Sequence, residues 1–137
     1  MLGDLRISIG NPAGRPTAVV CRPVAKEKAP KKFLSGVWRN GVEYDSVVTL
    51  TDAKIEVKVD AAKKTYVVEA AIPLAALGLK PAAGLTLSGD FGAIFGDPAG
   101  KDTVLRSHWN NQATGIVADE VAELQLEPKN WGRIIFE

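Results

Sequence analysis

Side chains that commonly perform covalent chemistry are scarce in this chain of 137 residues, which holds one histidine, His108, and one cysteine, Cys21. Nucleophilic catalysis needs a histidine or lysine set beside Ser, Cys or Asp, and no Gly-x-Ser-x-Gly elbow is present. The 16 acidic residues show no pairing that defines a two-carboxylate hydrolytic site. A zinc site built from Cys21 and His108 would lack the usual ligand number and spacing. Gly10, Gly14, Gly89 and Gly92 match no phosphate-cradling loop, so no nucleotide is expected. The chain therefore reads as a non-enzyme.

What remains is a mixture of aromatic and planar polar side chains. One group is Arg106-Ser107-His108-Trp109-Asn110-Asn111-Gln112, and a second is Trp38-Arg39-Asn40. Alternation along a strand puts Arg106, His108 and Asn110 on one face and Leu105, Ser107 and Trp109 on the other. If Leu105 faces the core, Trp109 is free to face it as well. An aromatic at a strand end followed by Asn-Asn-Gln is otherwise well placed to meet a ligand. Both readings of Trp109 stay open at this level.

The elements that must position these residues are short strands separated by turn chemistry. Leu5, Ile7 and Ile9 alternate with Arg6 and Ser8, a period of two that turns one face inward. Residues 10–14 (Gly-Asn-Pro-Ala-Gly) make a turn into a second strand over Thr17–Arg22. Residues 23–42 form the longest irregular stretch. Strands resume at Val47-Val48-Thr49-Leu50 and at Ile55, Val57 and Val59. After a turn at 60–64, Tyr66, Val68, Ala70 and Ile72 share one face of the next. Residues 73–77 then read as a single helical turn, opened by Pro73 and closed by Gly78. Residues 85–95 and 103–109 read as two further strands around an Asp97-Pro98-Ala99-Gly100 turn. Leu124 and Leu126 alternate with polar neighbours, and residues 132–136 form the last strand. About nine short strands with frequent turns point to an all-β fold, an antiparallel β-sandwich of jelly-roll or immunoglobulin-like type. Residues 1–137 read as one domain.

Composition narrows the partners. Seventeen basic residues against 16 acidic ones leave a formal net charge of +1, with no field to attract nucleic acid or an anionic membrane. Lys26, Lys28, Lys31 and Lys32 cluster, but Glu27 and two prolines interrupt them, as in a solvated loop. No run approaches the ~18 apolar residues of a membrane span. The opening Met1-Leu2-Gly3-Asp4 lacks the basic and apolar regions of a signal peptide and reads as a start inside a longer protein. Cys21, alone in an apolar strand, is expected to be a buried, inert thiol.

Taken in order, several strands carry a likeness to a known family. The strand Tyr66-Val67-Val68-Glu69-Ala70-Ala71-Ile72-Pro73 runs into an apolar turn at 74–77. Leu87-Ser88-Gly89-Asp90-Phe91-Gly92, Arg106-Ser107-His108-Trp109 and Trp131-Gly132-Arg133-Ile134 follow. Together they resemble family 9 carbohydrate-binding modules and the wider DOMON-like β-sandwich superfamily. Upstream, Gly3-Asp4-Leu5-Arg6-Ile7 is similar to that family's aspartate-led strand. The likeness is firm over 64–136 and softer over 1–63. The family's strands before this point, including an aromatic that walls the sugar site, have no counterpart in the sequence.

The resemblance implies a non-catalytic sugar-binding module of a larger exported bacterial protein, working extracellularly or in the periplasm. Aromatic faces stack on the apolar faces of pyranose rings, and planar polar groups read the hydroxyls. Trp109, Arg106, Asn110, Asn111 and Trp38 are the residues to which that role falls. The alternative is a structural or protein-interaction sandwich without sugar binding. The family's structural calcium would fall to Asp97 and Asp102, with Asp119 a further turn-like aspartate; ordinary turn formation also explains all three. Haem is held in related domains through Met, His or Lys, but Met1 is terminal and His108 stands alone, so none is expected. Glu69 needs a partner if buried, with Arg106 or a backbone amide as candidates. Trp131 is expected to close one end of the core. Exposed strand edges invite pairing between copies, hence a homodimer.

Overall fold

Period-two alternation produces strands throughout the computed structural model, which describes residues 2–34, 41–99, 101–111 and 128–137. In chain order the strands are β1 (Arg6–Gly10), β2 (Thr17–Arg22), β3 (Lys31–Phe33), β4 (Val42–Tyr44), β5 (Ser46–Thr49) and β6 (Lys54–Asp60). They continue as β7 (Thr65–Ala71), β8 (Thr86–Gly89), β9 (Gly92–Gly96), β10 (Thr103–His108) and β11 (Gly132–Ile135). Among the described residues the one α-helical element, α1 (Leu74–Leu77), is a single turn. The fold is all-β and its named sheet pairings have antiparallel registers. The chain divides into two compact units, residues 1–31 with 43–80, and residues 32–42 with 81–137.

In the first unit β2 lies between β1 and β5. Ile7 and Val48 flank Val20 across the two ladders. A strand paired on both edges loses the most solvent, and this one supplies the buried Ala18, Val20 and Cys21. Tyr44 and Ser46 are the other buried residues among those described. Burial pushes the Cys21 thiol above its ordinary range, although the positive charges of Arg6 and Lys31 pull it down. A thiol held protonated in this way is a weak nucleophile.

The described part of the 23–42 stretch, residues 23–34 and 41–42, holds more regular structure than its composition suggests. It contains β3 and the start of β4, and residues 25–29 are pinned by Asp45. Asp45 Oδ2 accepts the Ala25 N–H at 2.9 Å and pairs with the Lys28 ammonium. The Asp45 carbonyl accepts the Ala29 N–H at 2.8 Å. Lys28, within the interrupted lysine run, thus has a definite partner.

β6 and β7 form a hairpin in which seven residues of each strand pair, from Lys54 with Ala71 to Asp60 with Thr65. Glu69 is exposed, not buried, and its ion-pair partner is Lys58 at 3.7 Å, in place of the expected Arg106 or backbone amide. Pro73 opens α1, and Gly78 closes it at φ 73°. That left-handed value suits a residue without Cβ. The Arg22 guanidinium donates to the Ala76 carbonyl at 3.0 Å, satisfying one of the carbonyls a helix end leaves over.

In the second unit the expected single strand over 85–95 is two. β8 pairs with β11, β9 pairs with β10, and the chain changes partner at Asp90 and Phe91. Alternating apolar residues on both sides of the break hid it. Trp131 is half-buried just before β11, its N–H donating to the Pro128 carbonyl at 3.1 Å. The Leu124 and Leu126 strand lies outside the described residues.

Candidate functional site

The change of partner at Asp90 builds a site. The β9–β10 register pairs Ser107 with Ala93 and His108 with Gly92. Continued one step, it sets Trp109 opposite Phe91, and the Trp109 N–H donates to the Phe91 carbonyl at 2.9 Å. Side chains directly opposite share a face, so the two rings meet. Their centroids are 5.4 Å apart and their planes differ by 12°.

One step further, Asn110 falls opposite Asp90, and a carboxylate takes over from the ladder. Asp90 Oδ1 accepts the Asn110 N–H at 2.9 Å and the Phe91 N–H at 3.0 Å, while Oδ2 accepts the Asn111 N–H at 3.0 Å. Desolvation alone would raise the Asp90 carboxyl. Those three N–H groups and the charge of His108 outweigh it and hold the group below the usual carboxylate range.

Amides close the ring of contacts. The Asn110 side-chain amide donates to the Asn130 carbonyl at 2.8 Å, and the Asn130 amide donates to Asn111 Oδ1 at 3.3 Å. Gly132 follows Asn130 and Trp131. A Cβ on Gly132 would come within 2.5 Å of Trp109 Cη2, so the benzenoid side of the indole lies against this glycine. Trp109 nevertheless stays 47% exposed and Phe91 67%. The result is a solvent-facing aromatic pair at the strand end, with Asn110 and Asn111 next in the chain and linked to Asn130 just before β11.

Of the residues singled out from sequence, Trp109, Asn110 and Asn111 are brought together. Arg106 sits in the same strand, opposite Ile94, and alternation sends it to the other face of β10 from Trp109. Leu105 is exposed, which resolves the earlier ambiguity in favour of a surface Trp109. Trp38, Arg39, Asn40, Gln112 and Asp119 lie outside the described residues. Asp90, Phe91, Asn130 and Gly132 were not singled out as site residues. The Gly89-Asp90-Phe91-Gly92 spacing, glycines bracketing an aspartate and an aromatic, was the available signal.

The two proposed calcium ligands lie in the turn after β9. Asp97 Oδ1 accepts the Lys101 N–H at 2.7 Å and the Asp102 N–H at 3.3 Å, so this oxygen holds the turn. Among the described residues no three His, Cys, Asp or Glu side chains gather closely enough to hold a metal ion. Turn formation accounts for both hydrogen bonds to Asp97 Oδ1. No helix of the described residues is long and apolar enough to cross a membrane. Compared with protein-family models, curated proteins and solved structures, the chain matches none.

Proposed function

We propose that the chain is a non-catalytic carbohydrate-binding module of a larger exported bacterial protein, acting in the periplasm or outside the cell. The observation that carries this reading is the exposed Phe91–Trp109 stack, followed in the chain by Asn110 and Asn111, which are hydrogen-bonded to Asn130. Rings already stacked on each other lose little conformational freedom when a pyranose covers them. Dispersion and removal of apolar area from water then favour the sugar. An asparagine amide offers two donors and two acceptor lone pairs, so one internal bond does not exhaust it. The family resemblance over 64–136 points the same way, and the sandwich architecture belongs to the same proposal.

A second reading is favoured by the hydrogen bonds themselves. Asp90, Asn110, Asn111 and Asn130 tie the ends of β10 and β11 together. Such a knot suits a structural or protein-interaction domain without sugar binding. Calorimetric titration with hexoses, glucans and xylans separates the two. Heat that saturates with one sugar class and vanishes in Phe91→Ala supports the module. Silence across the whole panel supports the structural reading.

A further inference from the structure

The strand β6 reads Lys54-Ile55-Glu56-Val57-Lys58-Val59-Asp60, and its charges complement themselves when the strand is reversed. Among the described residues β6 pairs with β7 alone, which leaves its second edge without a ladder. We propose that the chain forms a homodimer in which this edge pairs antiparallel with β6 of a second copy, about a two-fold axis at Val57.

In that register Glu56 faces Lys58 of the second copy, and Lys58 faces its Glu56. Lys54 faces Asp60, Ile55 faces Val59, and Val57 meets itself. Every charge finds the opposite sign and every apolar residue an apolar one. Neighbouring registers fail. Centring on Glu56 sets Glu56 against itself and Lys54 against Lys58, whereas centring on Lys58 sets Glu56 against Asp60. A shift by one residue puts charged side chains opposite apolar ones, because side chains alternate faces. Parallel in-register pairing matches each charge with its own kind, which is destabilising.

Edge strands that avoid pairing use inward-pointing charges, prolines, bulges or lysines. β6 has neither a proline nor an irregular register, and its two lysines, Lys54 and Lys58, alternate with the acidic Glu56 and Asp60 and so meet opposite charges when the strand is reversed. Its apolar side also has surface to gain. Ile55, Val57 and Val59 share a face with Tyr66, Val68 and Ala70 across the hairpin, and Val59 is 69% exposed. Pairing through β6 would join two such faces into one four-stranded apolar surface. Asp60 also accepts the Lys63 N–H at 3.1 Å in the turn, so the central Glu56–Lys58 pairs carry most of the selectivity.

Sedimentation across a concentration series tests the dimer, with circular dichroism as a check on folding. The wild-type chain is expected to dimerise, more weakly at high salt. Glu56→Lys removes a like-charge opposition to Glu69 within the hairpin and breaks an exposed ion pair with Lys58 at 3.2 Å, which contributes little, so it is expected to fold, yet it sets Lys against Lys between copies and should lose the dimer. Adding Lys58→Glu restores opposite signs between copies, and the double variant should dimerise again. A wild-type chain that stays monomeric, a Glu56→Lys chain that still dimerises, or a double variant that stays monomeric would each overturn the proposal.

Discussion

The Trp109 indole lies nearly parallel to the Phe91 ring, centroids 5.4 Å apart, because the two residues are opposed one step beyond the β9–β10 ladder. Neither ring reaches a core. The stack is positioned from three sides: by the ladder, by the Asp90 carboxylate that fixes the following backbone, and by Gly132 against the indole.

Trp109→Ala should abolish sugar binding while costing roughly 1–2 kcal/mol of stability, the scale of an exposed aromatic pair with its contacts. Burial in a core would make the loss about 3–5 kcal/mol instead. Urea denaturation of the variant distinguishes these, and the larger loss would remove Trp109 from the surface site.

Gly132→Ala places a methyl group where the indole rests. The ring must swing away, since it is the freer partner. Near-ultraviolet circular dichroism should change, sugar affinity should fall, and the unfolding midpoint should move little. An unchanged aromatic spectrum would show that the indole does not lie against Gly132.

Asp90→Ala removes the acceptor for three backbone N–H groups at once. The expected cost is roughly 1–2 kcal/mol, discounted for solvent access. Amide exchange at Asn110 and Asn111 should accelerate more than exchange within β2. Equal protection in variant and wild type would mean that the carboxylate does not hold these amides.

Much of this arrangement was legible beforehand. The strand Thr17–Arg22 is legible because the 10–14 turn precedes its apolar run and Pro23 follows it, and Pro73 and Gly78 mark α1. Alternation also grouped Leu105, Ser107 and Trp109 correctly. It could not say which face was covered, because that depends on neighbours far away in sequence. The break at Asp90 escaped notice for a related reason: an unbroken apolar alternation does not reveal a change of pairing partner. Glu69 misled through composition, since an apolar strand suggests burial, whereas every residue of β7 is exposed.

Asp45 gives a pH dependence. Its hydrogen bond from Lys28, then that from the Ala25 N–H, holds the carboxyl below its ordinary value against a smaller desolvation effect. A group whose folded value is lowered stabilises the fold fully above the ordinary carboxylate range and ceases to do so as pH falls through the folded value. Wild type should therefore exceed Asp45→Ala in stability at neutral pH, and the two should converge as pH falls below the ordinary carboxylate range. Urea midpoints across that range provide the check. A constant gap would mean that the charge on Asp45 does not contribute.

Tryptophan emission during titration with hexoses, glucans and xylans, in wild type and in Trp109→Ala, tests sugar binding at the Phe91–Trp109 pair most directly. Saturable quenching by at least one sugar in wild type, absent in Trp109→Ala, is the expected result. No saturable response to any sugar, or an identical response in the variant, would contradict it.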